Sequence, residues 1–248
     1  MVNSKRTKIL ENSIAVIGPK QVGKTFVCAE LAKDKSTPDF VLSSDLLTSL
    51  LIYDINGMWN SVVIGSELEE VGTLYKKTFN FTELKPLVES IAKCYQNERF
   101  SPKEKRVAMS YWKARLLEDA TEMLDKPFIL DAGADVGAVF ELSNNEELNV
   151  AQAFYMPYDF IEDRLSSYLK DFATVVYLKP GKTYAAIEGR AKDAENTLYL
   201  ESGKSYEQFS TVAIDCDTLY TSSKPKEETV KTAIAQITAN YHPSTFGE

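Results

Sequence analysis

The sequence predicts an α/β protein in which helices cover both faces of a parallel sheet. Two observations carry this. Five short runs, Ile14–Ile17, Phe40–Leu42, Phe128–Leu130, Thr174–Leu178 and Val212–Ile214, are apolar at nearly every position. Strands buried on both faces read this way, whereas strands with one wet face alternate. The stretches between the runs carry helical patterning, and strands alternating with helices imply βαβ units.

The elements follow in order. The first strand, Ile14–Ile17, comes after a basic segment that Glu11 and Asn12 interrupt. No signal-type apolar region forms there, so the cytoplasm is the expected compartment. A helix over Lys24–Lys33 leads to the strand Phe40–Leu42. The stretch from about 46 to 126 reads as mostly helical, with helices over Thr82–Cys94 and Lys103–Leu124, and is the place for a helical insertion. Its Leu46–Tyr53 run is broken by Thr48 and Ser49 and is far shorter than the roughly 20 residues that span a bilayer. After Phe128–Leu130 a helix is expected over Glu147–Phe172, with a break at Pro157. Another follows Thr174–Leu178, over Thr183–Lys192. The last, Lys226–Ala239, puts Val230, Ala233, Ile234 and Ile237 on one face, with Ser223 and Pro225 marking its start. The whole chain, 1–248, is expected to be one domain.

Composition narrows the chemistry. The chain has 28 Lys and Arg against 36 Asp and Glu, a formal net charge of −8. That balance argues against nucleic acid or an anionic membrane as the main partner. Its single histidine, His242, is near the end of the sequence. A Ser-His-Asp or Cys-His site would have to be built there, and a His-rich metal site is excluded. Cys28, Cys94 and Cys216 include no CxxC and are read as reduced. Cys28 is read as a packing residue rather than a nucleophile.

The most specific motif is Gly18-Pro19-Lys20-Gln21-Val22-Gly23-Lys24-Thr25, which fits G-x-x-x-x-G-K-[ST] between a strand and a helix. The two glycines let the backbone turn tightly and aim successive amides at phosphate oxygens. The helix that starts at Lys24 adds the positive end of its dipole. Lys24 would reach the β- and γ-phosphates, and the Thr25 hydroxyl would ligate Mg²⁺. A three-layer P-loop NTPase fold with strand order 2-3-1-4-5 follows, with ATP and Mg²⁺ as cofactors. No N-K-x-D occurs to read guanine. Asp54-Ile55-Asn56-Gly57 matches D-x-x-G but reads better as a turn after LLIY.

Other segments follow the motif in order. They are Phe40-Val-Leu-Ser43-Ser44-Asp45, then Arg115-Leu-Leu-Glu118, Phe128-Ile-Leu-Asp131-Ala-Gly133, Val175–Leu178, a helix with Arg190, and Tyr206 to Asp215. Together with the phosphate loop they resemble the shikimate kinase family, P-loop kinases of small molecules. The resemblance implies ATP-dependent phosphoryl transfer to the hydroxyl of a small anionic acceptor. It implies that Asp45 orients that hydroxyl, that Arg115 clamps the acceptor's anionic group with Glu118 orienting it, and that Gly133 lies against the acceptor. Arg190 would meet the nucleotide from the hinge of a lid over about 190–208. Asp131 ends a Walker-B-like run and could hold Mg²⁺, replacing a family carboxylate where Ser43 stands. Asp45 or Ser44 would equally suit a helix N-cap. Gln21 replaces a family glycine, and between Ala191 and Gln208 the basic residues are Lys192 and Lys204, with no arginine. These departures leave a second reading open, a nucleotide-binding regulatory protein without efficient transfer.

Overall fold

The computed structural model describes residues 3–18, 22–99, 102–132, 168–179, 210–215, 220–221, 224–225 and 227–244. The elements are α1 (Asn3–Leu10), β1 (Ile14–Ile17), α2 (Lys24–Leu31), β2 (Val41–Ser43), α3 (Ser44–Ile55), α4 (Trp59–Val62), α5 (Glu69–Thr78), α6 (Phe81–Gln96) and α7 (Pro102–Glu122). They continue with β3 (Ile129–Asp131), β4 (Thr174–Lys179), β5 (Val212–Asp215), β6 (Tyr220–Thr221), β7 (Lys224–Pro225) and α8 (Glu227–Ala239).

β1 to β5 form one all-parallel sheet in the order β2-β3-β1-β4-β5. The expected order and all five strands are therefore present. Alternate residues of each strand feed two cores. Ala15, Ile17, Leu42, Leu130, Val175 and Tyr177 face a core with α1, α3, α5, α6 and α7. Ile14, Val16, Ile129, Val176, Leu178, Val212 and Ile214 face a second core with α2 and α8. Neither face of the central strands is wet, which is why their sequences are continuously apolar. β5 is the exception: Ala213 and Asp215 are exposed, as suits an edge strand.

α8 buries Val230, Ala233 and Ile237, the face read from the sequence. α6 buries Phe81, Leu84, Val88 and Ile91 at helical spacing, with Asn80 as its N-cap. α1, α4, α5 and the small antiparallel β6–β7 pair had no expectation of their own. Of the helix expected over Glu147–Phe172, the described end is a 3₁₀ turn, Leu169–Asp171, and the rest lies outside the described residues, as does Thr183–Lys192. Asp54 lies in the last turn of α3, and Gly57 follows the helix at a φ of 65°, so D-x-x-G here is a helix-terminating turn.

β2 is the other edge of the sheet, and the insertion closes it. The Tyr75 hydroxyl of α5 donates to Val41 O (2.8 Å) and accepts from Ser43 N (2.8 Å). It therefore takes the place of a sixth strand at that point. The ring is locked between Phe40 and Phe79, with centroids at 5.9 and 5.4 Å. Among the described residues no helix is long and apolar enough to cross a membrane.

Candidate functional site

The strand order fixes where a ligand would collect. From β1 the chain moves to one side of the sheet, and from β3 it returns past β1 to β4. Such a reversal opens a crevice beyond the carboxyl end of β1. Gly18, Gly23 and the start of α2 stand there.

Both glycines are needed at their positions. Gly18 has φ 145°, and a Cβ built on it would lie 2.7 Å from the Leu178 carbonyl oxygen of β4. No side chain fits between this turn and the neighbouring strand. Gly23 holds the N-cap of α2 in the left-handed region, at φ 96° and ψ 20°. Lys24 is then the first residue of α2. It is buried, and its Nζ donates to Gly18 O at 3.0 Å, across the mouth of the loop. The loop's ends are thus tied by the motif's own lysine.

Thr25 Oγ1 donates to Asp131 Oδ2 at 2.7 Å. Parallel registers set Asp131 opposite Val16 on one side and Ser43 on the other. Burial pushes the Asp131 carboxyl above its usual range. The Thr25 hydrogen bond, the Lys24 charge and the Ser43 hydroxyl oppose that push, and the Asp45 charge adds to it. The structure therefore brings Lys24, Thr25, Ser43 and Asp131 together. The oxygen-only pair of Thr25 and Asp131 suits a hard cation such as Mg²⁺. Among the described residues no group of three or more His, Cys, Asp or Glu side chains could hold a metal. Mg²⁺ needs no such group, because it keeps water and phosphate oxygens around one or two carboxylates.

Asp45 lies in the first turn of α3, and neither it nor Ser44 is the cap. The N-cap is Ser43, whose side chain accepts from Leu46 N. The Asp45 side chain is 69% exposed, and its Oδ1 lies 3.4 Å from Lys113 Nζ of α7. Sequence reasoning did not bring Lys113 to Asp45. Only the phase of α7 against α3 reveals it, and no local pattern encodes that phase.

The expected orientation of Arg115 by Glu118 is not formed. Arg115 Nε pairs with Asp119 at 2.7 Å. Glu118 is buried and pairs instead with Arg6 of α1 at 2.8 Å. Arg6 also lies over the Tyr168 ring, 5.5 Å from its centroid. Residues i and i+3 on a helix are neighbours, but Arg6, 17% exposed against 33% for Arg115, is the guanidinium that holds this carboxylate. Lys113 and Arg115 are about 200° apart around α7, so the helix side that turns Lys113 to Asp45 turns Arg115 away.

Val22 is buried in the core under α2. So is Cys28, whose thiol burial pushes far up, so it is an inert packing group, as expected. Trp112 and Leu116 pack in the other core. Pro19, Lys20, Gln21, Gly133, Arg190 and the expected lid over 190–208 lie outside the described residues.

No family model matches the chain, and no curated protein or solved structure matches it.

Proposed function

We propose that the chain is a Mg-ATP-dependent kinase of the P-loop type, similar to shikimate kinases, that acts on the hydroxyl of a small anionic molecule. The observation that carries the proposal is the meeting of Lys24, Thr25 and Asp131 beyond β1 and β3, with Thr25 and Asp131 2.7 Å apart. Each group has a part in phosphoryl transfer. Lys24 and the backbone amides at the start of α2 hold phosphate oxygens. Thr25 and Asp131 hold Mg²⁺, which when bound neutralises charge on the transferring group. Asp45 orients the acceptor hydroxyl and takes its proton as the new oxygen–phosphorus bond forms and ADP leaves. Such catalysis is positioning and electrostatics, and it needs no histidine or cysteine.

The test is ADP release from Mg-ATP against a panel of hydroxy acids, polyols and nucleosides. The proposal expects release that depends on an acceptor, is abolished in Lys24→Ala and is strongly reduced in Asp45→Asn. Nucleotide binding with no acceptor-dependent release would make the chain a nucleotide-binding regulatory protein instead. Turnover unchanged in Asp45→Asn would remove that carboxylate from the mechanism.

A further inference from the structure

β2 passes into α3 with no residue between them. Ser43 ends the strand and is itself the N-cap of the helix, at φ −97° and ψ 124°. Asp45 follows in the first turn. Its side chain is 69% exposed, and beside the Lys113 contact its direction depends on the backbone that carries it. Whatever fixes Ser43 therefore aims Asp45. The cap bond is too long to do this alone, with Leu46 N 3.4 Å from Ser43 Oγ. β3 holds Ser43 on one side, in register with Asp131. On the other side the Tyr75 hydroxyl accepts from Ser43 N and donates to Val41 O, both at 2.8 Å. Tyr75 is 2% exposed and its ring is packed against Phe40 and Phe79, so that hydroxyl is a fixed point. It belongs to α5 of the helical insertion, 32 residues further along the chain.

We propose that Tyr75 is a positioning residue: through it the helical insertion holds Ser43 in place and aims Asp45 at the acceptor hydroxyl. The role of Asp45 rests on the phosphoryl-transfer reading above. The nucleotide side of the site is held by other contacts, Lys24 to Gly18 O and Thr25 to Asp131. Without the Tyr75 hydroxyl the end of β2 is released on its outer edge. A displacement of about 1 Å at a reacting group can cost about a hundredfold in rate. The loss falls on the acceptor step and not on nucleotide binding.

The test compares wild type, Tyr75→Phe, Asp45→Asn and the double variant of both. Ile9→Ala is the control, because it opens a cavity under α1, before the amino end of β1 and away from the site. Three quantities are measured on each: ADP release against the panel of hydroxy acids, polyols and nucleosides, Mg-ATP binding by calorimetry, and amide hydrogen exchange. Tyr75→Phe should lower kcat about tenfold or more while the Kd for Mg-ATP stays within about threefold. The double variant should be no slower than Asp45→Asn, because the hydroxyl acts through that carboxylate. A merely structural loss would instead add to the effect of Asp45→Asn and would appear in Ile9→Ala, which should keep the wild-type kcat. In Tyr75→Phe the amides of residues 46–48 should exchange about tenfold faster relative to those of α2. The assignment is overturned by a Tyr75→Phe kcat within about twofold of wild type, by additive effects in the double variant, or by unchanged exchange at 46–48. The two readings fail separately. Acceptor-dependent release that Tyr75→Phe leaves intact defeats only the assignment. No acceptor-dependent release from wild type, with faster exchange at 46–48 in Tyr75→Phe, defeats the kinase reading and keeps Tyr75 as the residue that fixes the start of α3.

Discussion

Tyr75→Phe removes one oxygen from the junction of the helical insertion and the sheet. The ring stays between Phe40 and Phe79, so packing changes little. What is lost is the pair of 2.8 Å hydrogen bonds to Val41 O and from Ser43 N. A backbone group left without a partner away from water costs about 1–3 kcal/mol. Val41 and Ser43 are half-buried, so the low end applies to each, and the sum is about 2–3 kcal/mol. In a domain of this size that lowers the thermal midpoint by about 4–12 °C. Urea unfolding of wild type and variant should show the midpoint fall with the slope unchanged. A loss below about 0.5 kcal/mol would show that water replaces the hydroxyl and that α5 does not close the sheet edge.

Three further outcomes follow from other parts of the molecule. Arg6→Met strands the buried Glu118 carboxylate and should cost about 3–5 kcal/mol in urea unfolding, most of it recovered in the Arg6→Met, Glu118→Met double variant; a double variant as unstable as the single would contradict this. Burial raises the Cys94 thiol to about 11, and a raised pKa means less thiolate at any lower pH, so only about one thiol in a thousand is ionised at pH 8. Iodoacetamide should therefore label Cys94 very slowly in the folded protein, faster as pH approaches 11 and fastest in urea, with fast native labelling the contrary result. Gly18→Ala forces a Cβ to 2.7 Å from the Leu178 carbonyl at a φ that disfavours side chains, and should cost about 1–3 kcal/mol in thermal unfolding together with most nucleotide binding. An alanine variant as stable as wild type would show that the turn can move off β4.

The central strands and the loop were legible because their signals are local. Two-sided burial writes itself as runs such as Ile14–Ile17, and the Gly18, Gly23, Lys24, Thr25 spacing serves a single turn. Asp131 was legible as an acidic residue that ends such a run. α6, α7 and α8 followed from periodicity, whereas α1 is short and mostly polar, and α4 is a single turn. The errors lie in partner choice. Glu118 could meet Arg115 on its own helix or Arg6 on another element, and nothing within α7 decides between them. The Asp45–Lys113 contact likewise exists only once α3 and α7 are packed together. Contacts between elements distant in sequence are set by packing, which no window of residues contains.

The central claim, that the loop binds Mg-ATP through Lys24, is tested most directly by thermal unfolding at rising Mg-ATP. At a nucleotide concentration a hundredfold above Kd, wild type should gain about 2.7 kcal/mol, an upward shift of roughly 5–11 °C. Lys24→Ala should show no such shift. No stabilisation of wild type by Mg-ATP, or an equal shift in Lys24→Ala, would contradict the account.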